Sequence, residues 1–287
     1  MIDLDDKVLA DVKHGFNLPP KPALISELQA ALAAPDPDLN DIASIIAHDV
    51  STSAAVLKII NSPLYGLART VTDVKQAVVF LGLDSISKLV TGFLLKQTFG
   101  QRKCCISLER FWDNASDIAD SIMVIGNKLK SRVPIENLHL LGLFHDAGIA
   151  AMAVNYPDYM ETLIAANKDY DKLLIEHEEE KYETNHAIIG YFLAASWNLP
   201  QSICQMILCH HDPEFLGNCK DDEQKLAFAA LKMAENFVHI NKRFVAAPDW
   251  HLMKADVLKV LNLDEDDYQD IKEDLDEYFL EQDGVSD

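Results

Sequence analysis

Apolar positions recur at intervals of three and four along almost the whole chain, which predicts helices rather than strands. Leu24, Leu28, Ala31 and Leu32 form one such face, Ile42, Ile45 and Ile46 a second, and a further apolar segment runs from Ala54 to Ile60. Asn61-Ser62-Pro63 breaks that segment, as a turn does. Val74, Ala77, Val78 and Leu81 make the next face, closed by Gly82 in a C-cap position. Ile118, Ile122, Ile125 and Leu129 predict a long amphipathic helix that stops before Pro134, and Leu138, Leu141, Phe144 and His145 share a face of the helix after it. No run alternates as a half-buried strand must, and no fixed-period repeat or low-complexity linker interrupts the pattern. The expected fold class is all-α.

The segment Phe99 to Ser107 (FGQRKCCIS) is short, basic and aperiodic, so a junction is expected there. It divides an N-terminal helical lobe, residues 1–100, from a second helical lobe, 101–245. An acidic helical extension follows over 246–287. Within it Tyr268, Ile271, Leu275 and Phe279 keep helical spacing, so one face can pack while the carboxylates stay in water. Asp264 stands where an N-cap belongs, predicting a packed terminal helix from Asp264 to Glu281.

Almost half of the 287 residues are hydrophobic (49%), enough for a sizeable core. No apolar run approaches the roughly 18 to 20 residues that a membrane-spanning helix needs, and Met1 to Asp11 lacks a signal peptide's basic-then-apolar layout. The five cysteines, 104, 105, 204, 209 and 219, form neither a CxxC pair nor a disulfide framework, so a reduced, cytoplasmic protein is expected. The formal net charge is −21. Twelve acidic residues and a single Lys272 between Asp264 and Asp287 account for about half of it. Such a surface repels phosphate backbones and anionic lipid, which argues against nucleic acid and membrane as partners. It serves solubility, or a basic protein partner.

The sharpest chemical feature is His145-Asp146 inside the apolar run LHLLGLFHDAGIAAM. An isolated buried charge costs several kcal/mol even after relaxation, so something must compensate it. The residues alone leave two readings open: a metal ion, or a buried polar pair that locks helices together. His186 and His210-His211 follow. A continuous helix would hold 186 and 210 ~36 Å apart, but Pro200 interrupts it, so a helix-turn-helix can fold them together. Gly190, one turn after His186, permits close approach of a neighbouring helix. His48 lies near a helix end and is expected at the surface. His14, His139, His177, His239 and His251 have no clustered partners. Cys204 and Cys209, Trp112 and Trp197 are expected to pack in the core.

The order HD, then His about forty residues on, then His-His about twenty-four further, resembles the HD superfamily of metal-dependent phosphohydrolases. Further segments are similar to one branch of it, the HDOD family. These are LPPKPALISELQAAL, DIASIIAHDVSTSAAVLKIINSPLYG, TVTDVKQAVVFLGLDSISKLV, FWDNASDIA and HAIIGYFLAASWNLPQSICQMILCHH. They cover about residues 14 to 240 in the family's order.

The resemblance implies an all-helical, two-lobed, HD-like fold and a regulatory role in bacterial signalling. The domain and its terminal helix are expected to account for the 287 residues without a fused receiver. It implies a metal set of His145, Asp146, His186, His210, His211 and Glu235, with Asn114 where the superfamily has its first His. Glu235 takes the place of the closing Asp. Gly148-Ile149 replaces the usual Gly-Lys, and DPEFLGN after His211 lacks the signature of the cyclic-di-GMP-hydrolysing branch. A non-catalytic binding or adaptor module is therefore the expected function, with no assigned catalytic or cofactor-binding residue. A divalent-metal phosphohydrolase acting on a nucleotide or phosphodiester is the alternative. Any metal is expected to be divalent (Mg, Mn, Fe, Ni or Zn) and at partial occupancy. The expected partner is a signalling protein or a nucleotide, with a homodimer as a further option.

Overall fold

The computed structural model describes residue 16 and residues 18–100, 102–128, 133–169 and 172–284. Met1–Asp11, His14 and Leu129 lie outside them. Among the described residues the chain is all-α, with no strand. The N-terminal lobe holds α1 (Ala23–Leu32), α2 (Leu39–Ala47), α3 (Val50–Ile60), α4 (Val74–Leu81) and α5 (Leu83–Phe99). The second lobe begins with α6 (Leu108–Lys128), α7 (Ile135–Phe144), α8 (Ala147–Asn155), α9 (Tyr159–Ala166) and α10 (Leu174–Tyr182). It continues with α11 (His186–Ser196), α12 (Gln201–Cys209), the single turn α13 (Phe215–Asn218) and α14 (Asp222–Arg243); α15 (Trp250–Leu261) and α16 (Glu265–Gly284) follow.

Several of the aspartates act as helix caps, accepting hydrogen bonds from otherwise orphaned backbone N–H groups. Asp49 accepts from Thr52 N (2.6 Å), Asp73 from Gln76 N (2.9 Å) and Asp221 from Gln224 N (3.0 Å). Asp264 accepts from Asp267 N at 2.9 Å, as an N-cap should, and Tyr268, Ile271 and Leu275 of the helix it starts are buried. Gly82 ends α4 and starts α5 at φ +81°, a conformation that an L side chain rarely adopts. Asn61 closes the turn after α3 by pairing with both backbone groups of Val71 at 2.8 Å.

One continuous apolar core runs from Ile25 to Leu275. Trp112 and Trp197 are both buried in it, as are Cys204 and Cys209. The Trp197 indole donates to Pro19 O (3.3 Å), and Gln29 Nε2 donates to Trp197 O (2.8 Å), joining the N-terminal lobe to the end of α11. In the second lobe α7 is central, packed by α5, α6, α12 and α14. A Cβ on Gly142 of α7 would fall 2.6 Å from Ala119 Cα of α6, so these helices meet backbone to backbone.

Residues Ile135–Asn155, which are α7 and α8 together, reach the length and mean hydropathy of a membrane span, contrary to the sequence expectation. The stretch is mostly buried inside the protein, and a turn at His145-Asp146 divides it. Its apolarity is that of a core helix enclosed on every side, which composition alone does not separate from a span.

α16 docks on α6 and brings Tyr278 Oη to 3.5 Å from Asp120 Oδ2. Burial, reinforced by neighbouring Asp117, pushes the Asp120 carboxyl up to about 6. A carboxyl raised on folding costs nothing at a pH where both states are protonated; the penalty sets in as pH rises above the ordinary carboxyl value and is complete once pH exceeds the raised one. Asp120→Asn is therefore expected to stabilise the protein by up to ~3 kcal/mol near pH 8, with roughly half that gain near pH 5. Urea titrations at the two pH values check this, and a gain independent of pH would contradict it.

Candidate metal centre

The turn between α7 and α8 presents His145 as the C-cap of one helix and Asp146 as the N-cap of the next. Asp146 caps no backbone N–H, so both its oxygens remain available. His186 opens α11 behind its N-cap Asn185, and His210 is the C-cap of α12, followed by His211. The helix-turn-helix through Pro200 folds α12 back on α11, as the break in the pattern suggested. Gly148 and Gly190 lie at the contact between α8 and α11. A Cβ on Gly148 would stand 1.9 Å from His186 O, and the Gly148 backbone N is 3.5 Å from a Cβ built on Gly190. Only glycine at 148 lets His186 come this close to the His145-Asp146 turn.

The distant residues converge. Asp146 Oδ1 lies 3.4 Å from His186 Nε2 and 3.3 Å from His210 Nε2, while Oδ2 lies 3.3 Å from His145 Nε2. One donor atom each from Asp146, His186, His210 and His211 falls within 4.8 Å of all the others. Glu235 Oε1 reaches His145 Nε2 at 3.3 Å from α14. Asn114 is half-buried on α6, and no hydrogen bond ties it to the cluster; the residue at the superfamily's first-His position contributes no contact of that kind. His48 is exposed, while His139 is buried outside the cluster.

Tautomers decide what this cluster can do. Nδ1 of His145 lies 2.7 Å from Gly142 O, and Nδ1 of His210 lies 2.7 Å from Ile207 O. A carbonyl only accepts, so both Nδ1 atoms carry hydrogen. Nδ1 of His186 faces Glu178 Oε2 at 2.7 Å, and Nδ1 of His211 faces Asp249 Oδ2 at 3.0 Å. In each neutral ring the remaining Nε2 is a lone pair, and all four are aimed at or beside Asp146. His186 Nε2 is 3.0 Å from His211 Nε2 and 3.3 Å from His210 Nε2. Lone pairs at that distance repel unless a positive charge, a proton or a metal ion, lies among them.

The electrostatics agree. Burial opposes charge on His186, but the Glu178 and Asp146 carboxylates outweigh it and raise the imidazole to about 10. Burial holds His210 below its ordinary value and His211 well below, so neither competes for that proton. Against burial, His145, His186 and His210 hold the Asp146 carboxyl well below the usual range. Asp146, Glu178, Glu235 and Asp249 bring four carboxylates to the cluster and its surround, against one ammonium, Lys232. His145 Nε2 is buried with no hydrogen-bond partner of acceptable geometry. A buried imidazole nitrogen without a well-formed hydrogen bond, anchored N–H groups and surplus negative charge fit a divalent cation well. The C-termini of α7 and α12, where His145 and His210 sit, add partial negative charge.

Sequence reasoning missed the outer ring. Glu178 of α10 is wholly buried; it accepts from His186 Nδ1, from His186 N (3.0 Å) and from the Tyr159 hydroxyl. Asp249 and Lys232 do similar work around His211. Glu178 lies in the charged run EHEEEK, where nothing distinguishes it from its solvated neighbours. Lys232 gives a weak signal, as a lone charge among apolar residues of α14.

Taken together, fold and cluster define a class: an all-helical protein with a His/Asp centre built at helix ends. The HDOD domain profile matches residues 18–213, and the chain belongs to the HDOD domain family. A protein of Shewanella amazonensis described as a candidate phosphohydrolase has a similar fold, with TM-score 0.68 and 22% identity over 94% of this chain and 93% of its own. A candidate signal transduction protein of Marinobacter aquaeolei superposes with TM-score 0.67 and 19% identity, covering 100% of this chain and 66% of its own. An uncharacterized protein of Treponema pallidum is 27% identical over 202 residues. Those residues are 68% of this chain but 38% of that relative, so the chain spans well under half the relative's length.

Proposed function

We propose that this protein is a metal-binding HDOD module of bacterial signalling, in which Asp146, His186, His210 and His211 hold a divalent cation and His145 and Glu235 flank it. The observation that supports this best is the set of four imidazoles with donors anchored outward and Nε2 atoms gathered around one carboxylate. A bound divalent ion would act there as a Lewis acid. The chain's own residues orient the rings, exclude water and hold the protons on Nδ1.

A binding or adaptor role is favoured over hydrolysis by the enclosure of the site. The side chains of His145, His186 and His210 are fully buried, and only Asp146 (24%), His211 (20%) and Glu235 (11%) reach solvent. Ile149 also stands where a phosphate-facing Lys would help a hydrolase. The partner we infer is a cytoplasmic signalling protein or a nucleotide. The open edge at Asp146 and His211, with the likeness to a candidate phosphohydrolase, supports phosphodiester or nucleotide hydrolysis as the second reading.

A screen of metal-loaded protein over nucleotides and cyclic dinucleotides separates the two. The adaptor reading expects no turnover above that of Asp146→Ala. Turnover in the wild type that Asp146→Ala abolishes would establish the enzyme reading instead.

A further inference from the structure

Lys232 is an unusual residue for the middle of α14. It is 2% exposed, so burying its ammonium must be offset by specific partners. Nζ donates to Asp249 Oδ2 at 2.7 Å and makes an ion contact with Glu235 Oε2 at 2.5 Å. The same Asp249 oxygen accepts the His211 Nδ1 hydrogen at 3.0 Å. Asp249 is 3% exposed and lies beyond the segment that matches the HDOD family, at the start of α15. Three carboxylates thus stand at or beside the cluster on this side, and the ammonium divides them. It occupies one oxygen of Glu235 and one oxygen of Asp249, whereas the ion contacts of Asp146 are to imidazoles alone.

We propose that Lys232 is a specificity-determining positioning residue: an internal cation that keeps Glu235 and Asp249 from coordinating and so makes the centre nitrogen-rich. This rests on the metal reading above and deepens it. Imidazole nitrogen suits Zn, Cu, Fe or Ni, whereas a carboxylate-rich site of the same size suits Mg, Ca or Mn. With Lys232 in place the centre offers three imidazoles and one carboxylate, with His145 beside them, and it selects a metal such as Zn2+ over Mg2+. Through Asp249 the same ammonium fixes the ring of His211, so residues outside the matched segment help set the metal's identity.

The test is equilibrium binding of Zn2+, Mn2+ and Mg2+, each alone, to the chelator-stripped full chain and its variants. Lys232→Met removes the cation. Lys232→Arg keeps it. The double variant Lys232→Met/Asp249→Leu removes one cation and one anion together, leaving the buried charge unchanged if Lys232→Met alone does not fold. The wild type is expected to prefer Zn2+ strongly over Mg2+, with Mn2+ between them. Removing the ammonium is expected to narrow that preference about ten-fold or more, chiefly by strengthening Mg2+, and the arginine variant is expected to restore it. Ring-nitrogen NMR of metal-free protein adds a second readout. His211 carries its hydrogen on Nδ1 in the wild type and gains the Nε2 tautomer in the double variant. An unchanged metal ratio and an unchanged tautomer in folded variants would overturn the proposal while leaving the metal centre standing. A wild type that binds none of the three cations would overturn both, and the two failures are thereby distinguished.

Discussion

Alanine at position 148 is expected to destabilise the protein by ~3 kcal/mol or more and to weaken metal binding at the same time. The added Cβ would lie 1.9 Å from His186 O and 2.7 Å from His186 C. Those atoms are backbone, so no change of rotamer relieves the clash, and α8 and α11 must move apart by more than an ångström. His186 would move with α11 and leave its place beside Asp146. Gly217 is a suitable control, because a Cβ there meets nothing within 4 Å and alanine should be nearly neutral. Urea unfolding of both variants reads the difference. A Gly148→Ala protein within about 1 kcal/mol of wild type would show that the helix contact is looser than described.

Glu178→Ala should rank close behind. This carboxylate, 0% exposed, is the acceptor for His186 Nδ1–H, His186 N–H and the Tyr159 hydroxyl together. Truncation strands a buried cationic ring as well as two neutral donors, a loss on the order of 3–5 kcal/mol. It also frees His186 to take the wrong tautomer, which for an outer-shell partner typically costs 10- to 100-fold in metal affinity. Glu178→Gln keeps an acceptor and should recover part of the stability. Thermal unfolding with and without metal measures both effects. Equal loss for Ala and Gln would mean that charge alone, not the hydrogen bonds, is what Glu178 supplies.

How much of this could be read from the chain depends on where each signal lies. The helical faces were legible because burial imposes a period: Val74, Ala77 and Val78 are buried together on α4, and Tyr268, Ile271 and Leu275 on α16. The turn at Asn61-Ser62-Pro63 and the cap at Asp264 were legible because their chemistry is local. His145-Asp146, His186 and His210-His211 were legible as a candidate set because polar side chains in apolar helices demand compensation. Their actual convergence required the fold. Glu178, Lys232 and Asp249 were not singled out, since a buried carboxylate in a charged helix looks like a solvated one until its neighbours are known. Asn114 shows the converse: a matching position in a motif carries no hydrogen bond to the centre here. Gly190 was expected to admit a neighbouring helix, but that its counterpart is Gly148, beside the HD pair itself, follows only from the packing of α8 on α11.

The most direct test is X-ray absorption on chelator-stripped protein reloaded with Zn2+, beside a His186→Ala/His210→Ala variant. The account predicts about one tightly held ion per chain in the wild type, with imidazole nitrogens at roughly 2.0–2.1 Å, and none retained by the variant. Equal retention by both proteins, or a first shell made of oxygen alone, would contradict it.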